Sequence, residues 1–290
     1  MAIGSHGTIV GSLTGGCVEA ELALAAEELL AGGAPQVLRF GIEDERACAV
    51  GLPCGGEIEV LLVELAPVLL EEIAATIATD ARQDLRIELP GGRIELVAAD
   101  TQVDEALRIP LGPPPLLVVV GAVDLAEPLC SGARTLGWRS VVVDSRSALA
   151  TAERLPSADE IRIAWPADAL RALDIEASSA IVVLTHQDHL DLPALDVALR
   201  GPAGYVGALG SRRTQERRRE ALRELGVTEQ QLERLHGPAG LDIGAARPAE
   251  IALAILAEIV AARSGRGGAP LRERSGPIHE RADHSARVTA

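Results

Sequence analysis

No lysine occurs anywhere in this 290-residue chain; every one of its 27 Lys/Arg positions is arginine. That absence excludes Schiff-base lysine chemistry and the phosphate loop that relies on a lysine. GC-rich coding is a sufficient cause for it. Aromatic residues make up only 1% of the chain. Any core is therefore aliphatic, and a hydrophobic content of 48% is enough to build one. Positive charge is in deficit: the formal net charge of −15 opposes binding to nucleic acid or to an anionic membrane. The four cysteines, Cys17, Cys48, Cys54 and Cys130, form no CxxC pair, and a chain of this length needs no disulfide staples. The start lacks a basic segment followed by an apolar run. No apolar stretch is long and charge-free enough to span a bilayer. A reducing cytoplasm is the expected setting.

What is present divides into regions. Residues 1–110 mix short strands with helices and form a first, smaller α/β domain. Within them "CVEAELALAAEELLAGG" is an amphipathic helix stopped by Gly32-Gly33, and "QVLRFGI" and "EIEVLLVEL" read as strands. Residues 111–115 open a proline-rich linker, "LGPPPLL", suited to the interior of neither helix nor sheet. In residues 116–263 the runs "LLVVVG", "SVVVD", "EIRIA", "AIVVLT" and "GYVGALG" are apolar on both faces, as strands of a covered parallel sheet are. Helical patterns separate several of them, including "AEPLCSGARTLG", "DLPALDVALR" and "RRTQERRREALRELG". Strand–helix alternation predicts a doubly wound α/β domain of Rossmann type, closed by the helix "AEIALAILAEIVAAR". Residues 264–290 are polar and Gly/Pro-punctuated, and read as a disordered tail.

The stretch "VVVGAVDLAEPL" is a nucleotide-binding turn with a change in it. The fingerprint Gly-x-Gly-x-x-Gly/Ala falls on Gly121, Val123 and Ala126. Its second glycine normally lets the backbone approach a pyrophosphate. Val123 puts a branched side chain there, and Asp124 adds charge of the wrong sign. The turn is expected to keep its folding role and to bind NAD(P) poorly. Asp144, ending the strand "SVVVD", stands where an acid would hold a ribose hydroxyl; it reads equally as a turn residue. "GALGSRR" places Gly210, Ser211, Arg212 and Arg213 at a strand end and helix start, where N–H groups and arginine forks take phosphates. Arg217 to Arg219 read as a solvated helix face. "THQDHLD" offers His186, Asp188, His189 and Asp191. Its spacing is no zinc pattern, so it reads as a crevice loop, with Asp191 as a possible cap. "GLDIGA" is a further crevice loop, with Asp242 as its ionisable side chain. Cys17, in "TGGCVE", is either a thiolate favoured by a helix N-terminus or a small packed residue. Cys54 and Gly55, in "LPCGGEIEV", mirror that context. Cys130 lies in a helical pattern and reads as core.

Taken together, "GSLTGGCVEAEL", "GLPCGGEIEVLLVEL", "YVGALGSRRTQERRREAL" and "GPAGLDIGAARPAEIALAILAEIVAAR" resemble the XdhC/CoxI family of accessory proteins for xanthine and carbon monoxide dehydrogenases. The resemblance implies a non-enzymatic role. Such a protein binds the molybdenum cofactor transiently, protects it during sulfuration, and delivers it to an apo molybdenum hydroxylase. It implies a cysteine desulfurase as a further partner and permits a homodimer. The cysteines would then serve sulfur or molybdenum chemistry, and Arg212 and Arg213 the pterin phosphate. Two departures stand out. The family usually has Gly-Ala-Gly-His where this chain has Gly121-Ala122-Val123-Asp124. It also usually begins with a strand and a Gly-Ser-x-Pro-Arg segment ahead of this start, so either the start is misassigned or the chain is a shortened paralogue. Two rival readings remain: an NAD(P)-dependent oxidoreductase, motivated by the strand–helix pattern, and a degenerate partner-binding scaffold.

Overall fold

A computed structural model describes residues 1–16, 18–40, 58–79, 81–89, 91–98, 106–273 and 275. The chain forms two compact units, Met1–Pro113 and Pro114–Ile278.

The first unit contains three small antiparallel sheets. β1 (Ala2–Ile3) pairs with β2 (Ile9–Val10), and β3 (Gln36–Phe40) with β4 (Ile58–Leu62). β5 (Gln83–Glu88) lies between β6 (Ile94–Ala98) and β7 (Ala106–Leu111). Two helices, α1 (Glu19–Leu30) and α2 (Pro67–Ala78), accompany them. α1 stops because the chain turns at Gly32, whose φ of +103° suits glycine. At Gly33 a Cβ would come within 2.9 Å of the Glu28 carbonyl oxygen. Val18, Leu22 and Phe40 form a small core here.

The second unit is a six-stranded parallel sheet. Its strands are β8 (Leu116–Val120), β9 (Arg139–Asp144), β10 (Glu160–Ile163), β11 (Ala180–Val183), β12 (Tyr205–Ala208) and β13 (Leu235–His236). Their order is β10-β9-β8-β11-β12-β13. The direction of winding reverses between β8 and β11, which defines the switch point of a Rossmann sheet. The helices are α3 (Ala126–Thr135), α4 (Pro166–Ala172), α5 (Asp188–Arg200), α6 (Arg212–Glu224), α7 (Glu229–Glu233) and α8 (Pro248–Arg263). β8 shows why the valine runs lie inside. Leu116, Val118 and Val120 enter the core on one face, Leu117 and Val119 the core on the other. Each such side chain stabilises the fold by about 1.5–3 kcal/mol.

The five apolar runs are strands as expected. α4, α7 and the two-residue β13 are additions to that expectation. Cys130 is fully buried in α3, and burial pushes its thiol up to about 11; it is core, as its helical pattern implied. Beyond α8 the described residues include a 3₁₀ turn, Leu271–Glu273.

Candidate functional site

Four connections leave the carboxyl ends of β8, β9, β11 and β12, the edge where open α/β sheets bind ligands. Gly121 leaves β8 with φ +112°. A Cβ there would stand 2.8 Å from Thr185 Cγ2 and 3.3 Å from the Thr185 nitrogen, so the turn presses against the end of β11. Three of its N–H groups are committed within the fold. Gly121 donates to the Val143 carbonyl, Ala122 to Asp144 and Ala126 to the Val123 carbonyl, each at 2.8 Å. Val123 is half-buried against the core, and Asp124 is exposed and paired with Arg154 at 3.1 Å. A pyrophosphate on this turn would therefore meet the branched Val123 side chain and the Asp124 carboxylate.

Of the two readings open for Asp144, the structure fits that of a turn residue. Asp144 is wholly buried. Its carboxylate accepts from the Ala122 N–H at 2.8 Å, the Arg146 N–H at 2.9 Å, and Arg146 Nε and Nη2 at 2.9 and 2.7 Å. Burial raises its pKa, but the Arg146 side-chain fork and the two backbone N–H groups outweigh this and hold it below the ordinary value. The residue fastens the β8 turn to the end of β9 and has no lone pair left for a ribose.

The residues of "THQDHLD" diverge. Asp188 pairs with Arg217 at 3.2 Å, and His189 packs edge-on against Trp165 with ring centroids 6.3 Å apart. Among the described residues no group of three or more His, Cys, Asp or Glu could hold a metal ion. His186 is exposed, with φ +56°, the one left-handed non-glycine position among the described residues. Histidine tolerates that region better than most residues.

Asp191 does not cap α5. It is fully buried, accepts a short hydrogen bond from Thr185 Oγ1, and pairs with Arg218 Nη2 at 2.8 Å. Arg218 also donates to the Leu209 carbonyl and to Gln215 Oε1, both at 3.1 Å, and Gln215 donates to the Ala208 carbonyl at 3.0 Å. The solvated-face reading thus fails for Arg218. It fails for Arg219 too, whose two terminal nitrogens donate to the carbonyls of Leu232 and Leu235. This network, which sequence reasoning missed, joins the ends of β11 and β12 beneath the crevice.

At the end of β12, Gly210 has φ +141°, and Ser211 caps α6 by accepting from the Thr214 N–H at 3.2 Å. Arg212 and Arg213 are exposed in the first helical turn and pair with no acid among the described residues. No acidic residue shares that turn. Two cations at a positive helix end have the chemistry that suits an anion. Asp242 is exposed on the loop before α8. That loop is anchored by Glu258, which accepts from the Tyr205 hydroxyl at 2.5 Å and the Gly240 N–H at 2.8 Å.

In the first unit, Cys17, Cys48, Cys54 and Gly55 lie outside the described residues. The loop before Cys17 has an organising residue that sequence reasoning missed. The Glu19 carboxylate accepts from the Ser12 hydroxyl at 2.6 Å and from the N–H groups of Leu13, Thr14 and Gly16 at 2.9 Å. The Thr14 hydroxyl and the Val18 N–H add to these. The Ser12 hydroxyl first, then the Thr14 N–H, hold the carboxyl well below the usual carboxylate range. A lowered folded value means that the loop gains order from the charge above about pH 4.3, the free glutamate value, and loses it as pH falls through the folded value. Amide exchange at Gly16 and Val18 should therefore stay slow at pH 5 and quicken in Glu19→Gln at that pH. Equal exchange in the two chains would show that the carboxylate does not hold the loop.

Two sequence families match this chain. The XdhC Rossmann domain matches residues 117–259, and the XdhC and CoxI family matches residues 1–41. The molybdenum cofactor insertion chaperone PaoD of Escherichia coli (strain K12) is 28% identical over 270 residues, 91% of this chain and 77% of that protein. The protein YqeB of the same organism is 27% identical over 278 residues, and the match spans 96% of this chain but only 42% of YqeB. A crystal structure described as a xanthine dehydrogenase from Bacillus halodurans superimposes with a TM-score of 0.74 at 25% identity. It covers 91% of this chain and 86% of that one. No described helix is long and apolar enough to cross a membrane.

Proposed function

For a chain that belongs to the XdhC and CoxI family, we propose the role of an accessory protein to molybdenum hydroxylases of the xanthine or carbon monoxide dehydrogenase type. Its cargo is the molybdenum cofactor, which it binds transiently, shelters during sulfuration and hands to the apoenzyme. The likeness to PaoD over 91% of the chain supports this reading. Arg212 and Arg213 carry it in the structure, because they are exposed cations at a strand end that pair with no acid among the described residues. Their donors fit the phosphate of a pterin cofactor, and Gly210, without a side chain, lets that phosphate approach. Cys17 and Cys54 are the residues for the sulfur or molybdenum end of the cargo. At the Gly121 turn a pyrophosphate would meet the branched Val123 side chain and the Asp124 carboxylate, which favours a carrier over an NAD(P)-dependent oxidoreductase.

Removing the two charges in Arg212→Ala/Arg213→Ala should weaken binding of the molybdenum cofactor by about 1.5–3 kcal/mol, the worth of a charged hydrogen bond. Anaerobic titration with quantification of bound pterin reads this. Unchanged affinity in the double variant would move the phosphate elsewhere.

A further inference from the structure

The pair of Asp144 and Arg146 is unequally spent. Four donors fill the Asp144 carboxylate, as described above, and a carboxylate offers about four acceptor positions. Arg146 uses Nε and Nη2 on that carboxylate. Its Nη1 bonds to nothing among the described residues. It is also absent from their buried polar atoms without a partner, so it faces solvent. The side chain is 30% exposed. A guanidinium clamped along one edge and open along the other is a donor whose rotamer freedom has already been lost in folding. Ser145 and Ser147 flank it, one half-buried and one exposed, and neither hydroxyl bonds to a described residue.

Arg146 follows β9, one strand from the switch point. At this place in an open α/β sheet an acid holds a ribose hydroxyl, whereas an arginine takes a phosphate on the ribose. Here the acid is saturated and the arginine is open.

We infer that Arg146, with Ser145 and Ser147 beside it, forms a binding site for a phosphate monoester at the β9 end of the crevice. The site is separate from Arg212 and Arg213, which follow β12 on the other side of the switch point, and it does not depend on the carrier role. Asp144 neutralises the pair, so the attraction comes from fixed donors rather than from free charge. One such charge-assisted bond corresponds to an affinity gain of about tenfold.

The test is calorimetric titration of the full chain with adenosine 2′,5′-bisphosphate against adenosine 5′-monophosphate. Both probes carry the same 5′-phosphate, so the altered turn at Val123 and Asp124 acts on both alike and cancels in the comparison. The bisphosphate should bind about tenfold more tightly, the worth of that one added bond. Ser147→Glu, which sets a carboxylate at an exposed position and leaves the Asp144 pair intact, should abolish the preference. Arg146→Lys keeps a cation against Asp144 but loses the fork, and should reduce the preference as well. Equal affinity of the native chain for both nucleotides, no binding of either, or a preference unchanged in Ser147→Glu overturns the inference. The carrier reading would still stand, since its own titration rests on other residues.

Discussion

Asp191→Ala should destabilise the second unit by about 3–5 kcal/mol, the cost of stripping one partner from a buried ion pair. Asp191 and Arg218 have side-chain exposures of 0% and 1%, and they meet at 2.8 Å. The guanidinium left behind could not reach water, and its Nε already lacks a partner. Thr185 would lose its acceptor at the same time. The loss should appear as a lower urea midpoint with little change in slope. A cost below about 1 kcal/mol, the range of exposed pairs, would show that water enters the site. Asp191→Leu combined with Arg218→Met should cost much less than the sum of the single changes, because no orphaned charge remains.

Gly121→Ala should cost about 2–4 kcal/mol, from backbone strain and overpacking together. The residue sits at φ +112°, where an L side chain is strained, and its Cβ would meet Thr185 at 2.8 Å. Thr185 can yield little, since its hydroxyl is engaged with Asp191. Gly137→Ala provides the control: φ there is +71°, but a Cβ meets nothing within 4 Å. Strain alone acts at Gly137, strain plus contact at Gly121. Thermal unfolding of the two variants should separate them clearly. Equal losses would remove the close approach between the β8 turn and β11 from the account.

The sheet was legible because its strands are buried on both faces. An unbroken run such as Leu116–Val120 carries that signal locally. β13 was not, since two residues carry no period; its place beside β12 is a tertiary outcome. The strand-to-helix turn at Gly210–Arg213 was legible, because strand end, glycine and helix start are adjacent in sequence. Arg218 was misread, and Asp144 left with two readings, for one shared reason. What these side chains do depends on partners far along the chain: Ala122, 22 residues from Asp144, and Asp191, 27 residues from Arg218. An arginine run looks solvated until a fold supplies a buried acid for one of its members. Glu19 shows the reverse case. All its partners lie within seven residues, yet the convergence of loop N–H groups on one carboxylate leaves no pattern in residue type.

The central claim is that this chain carries the molybdenum cofactor. It is tested most directly by incubating the purified native chain anaerobically with cofactor released from a molybdenum hydroxylase. The protein is then separated from free cofactor, and its bound pterin is oxidised and counted by fluorescence. The account predicts pterin retained in near-stoichiometric amount and transferable to an apo hydroxylase. Retention no greater than that of an unrelated protein of similar negative charge would contradict it.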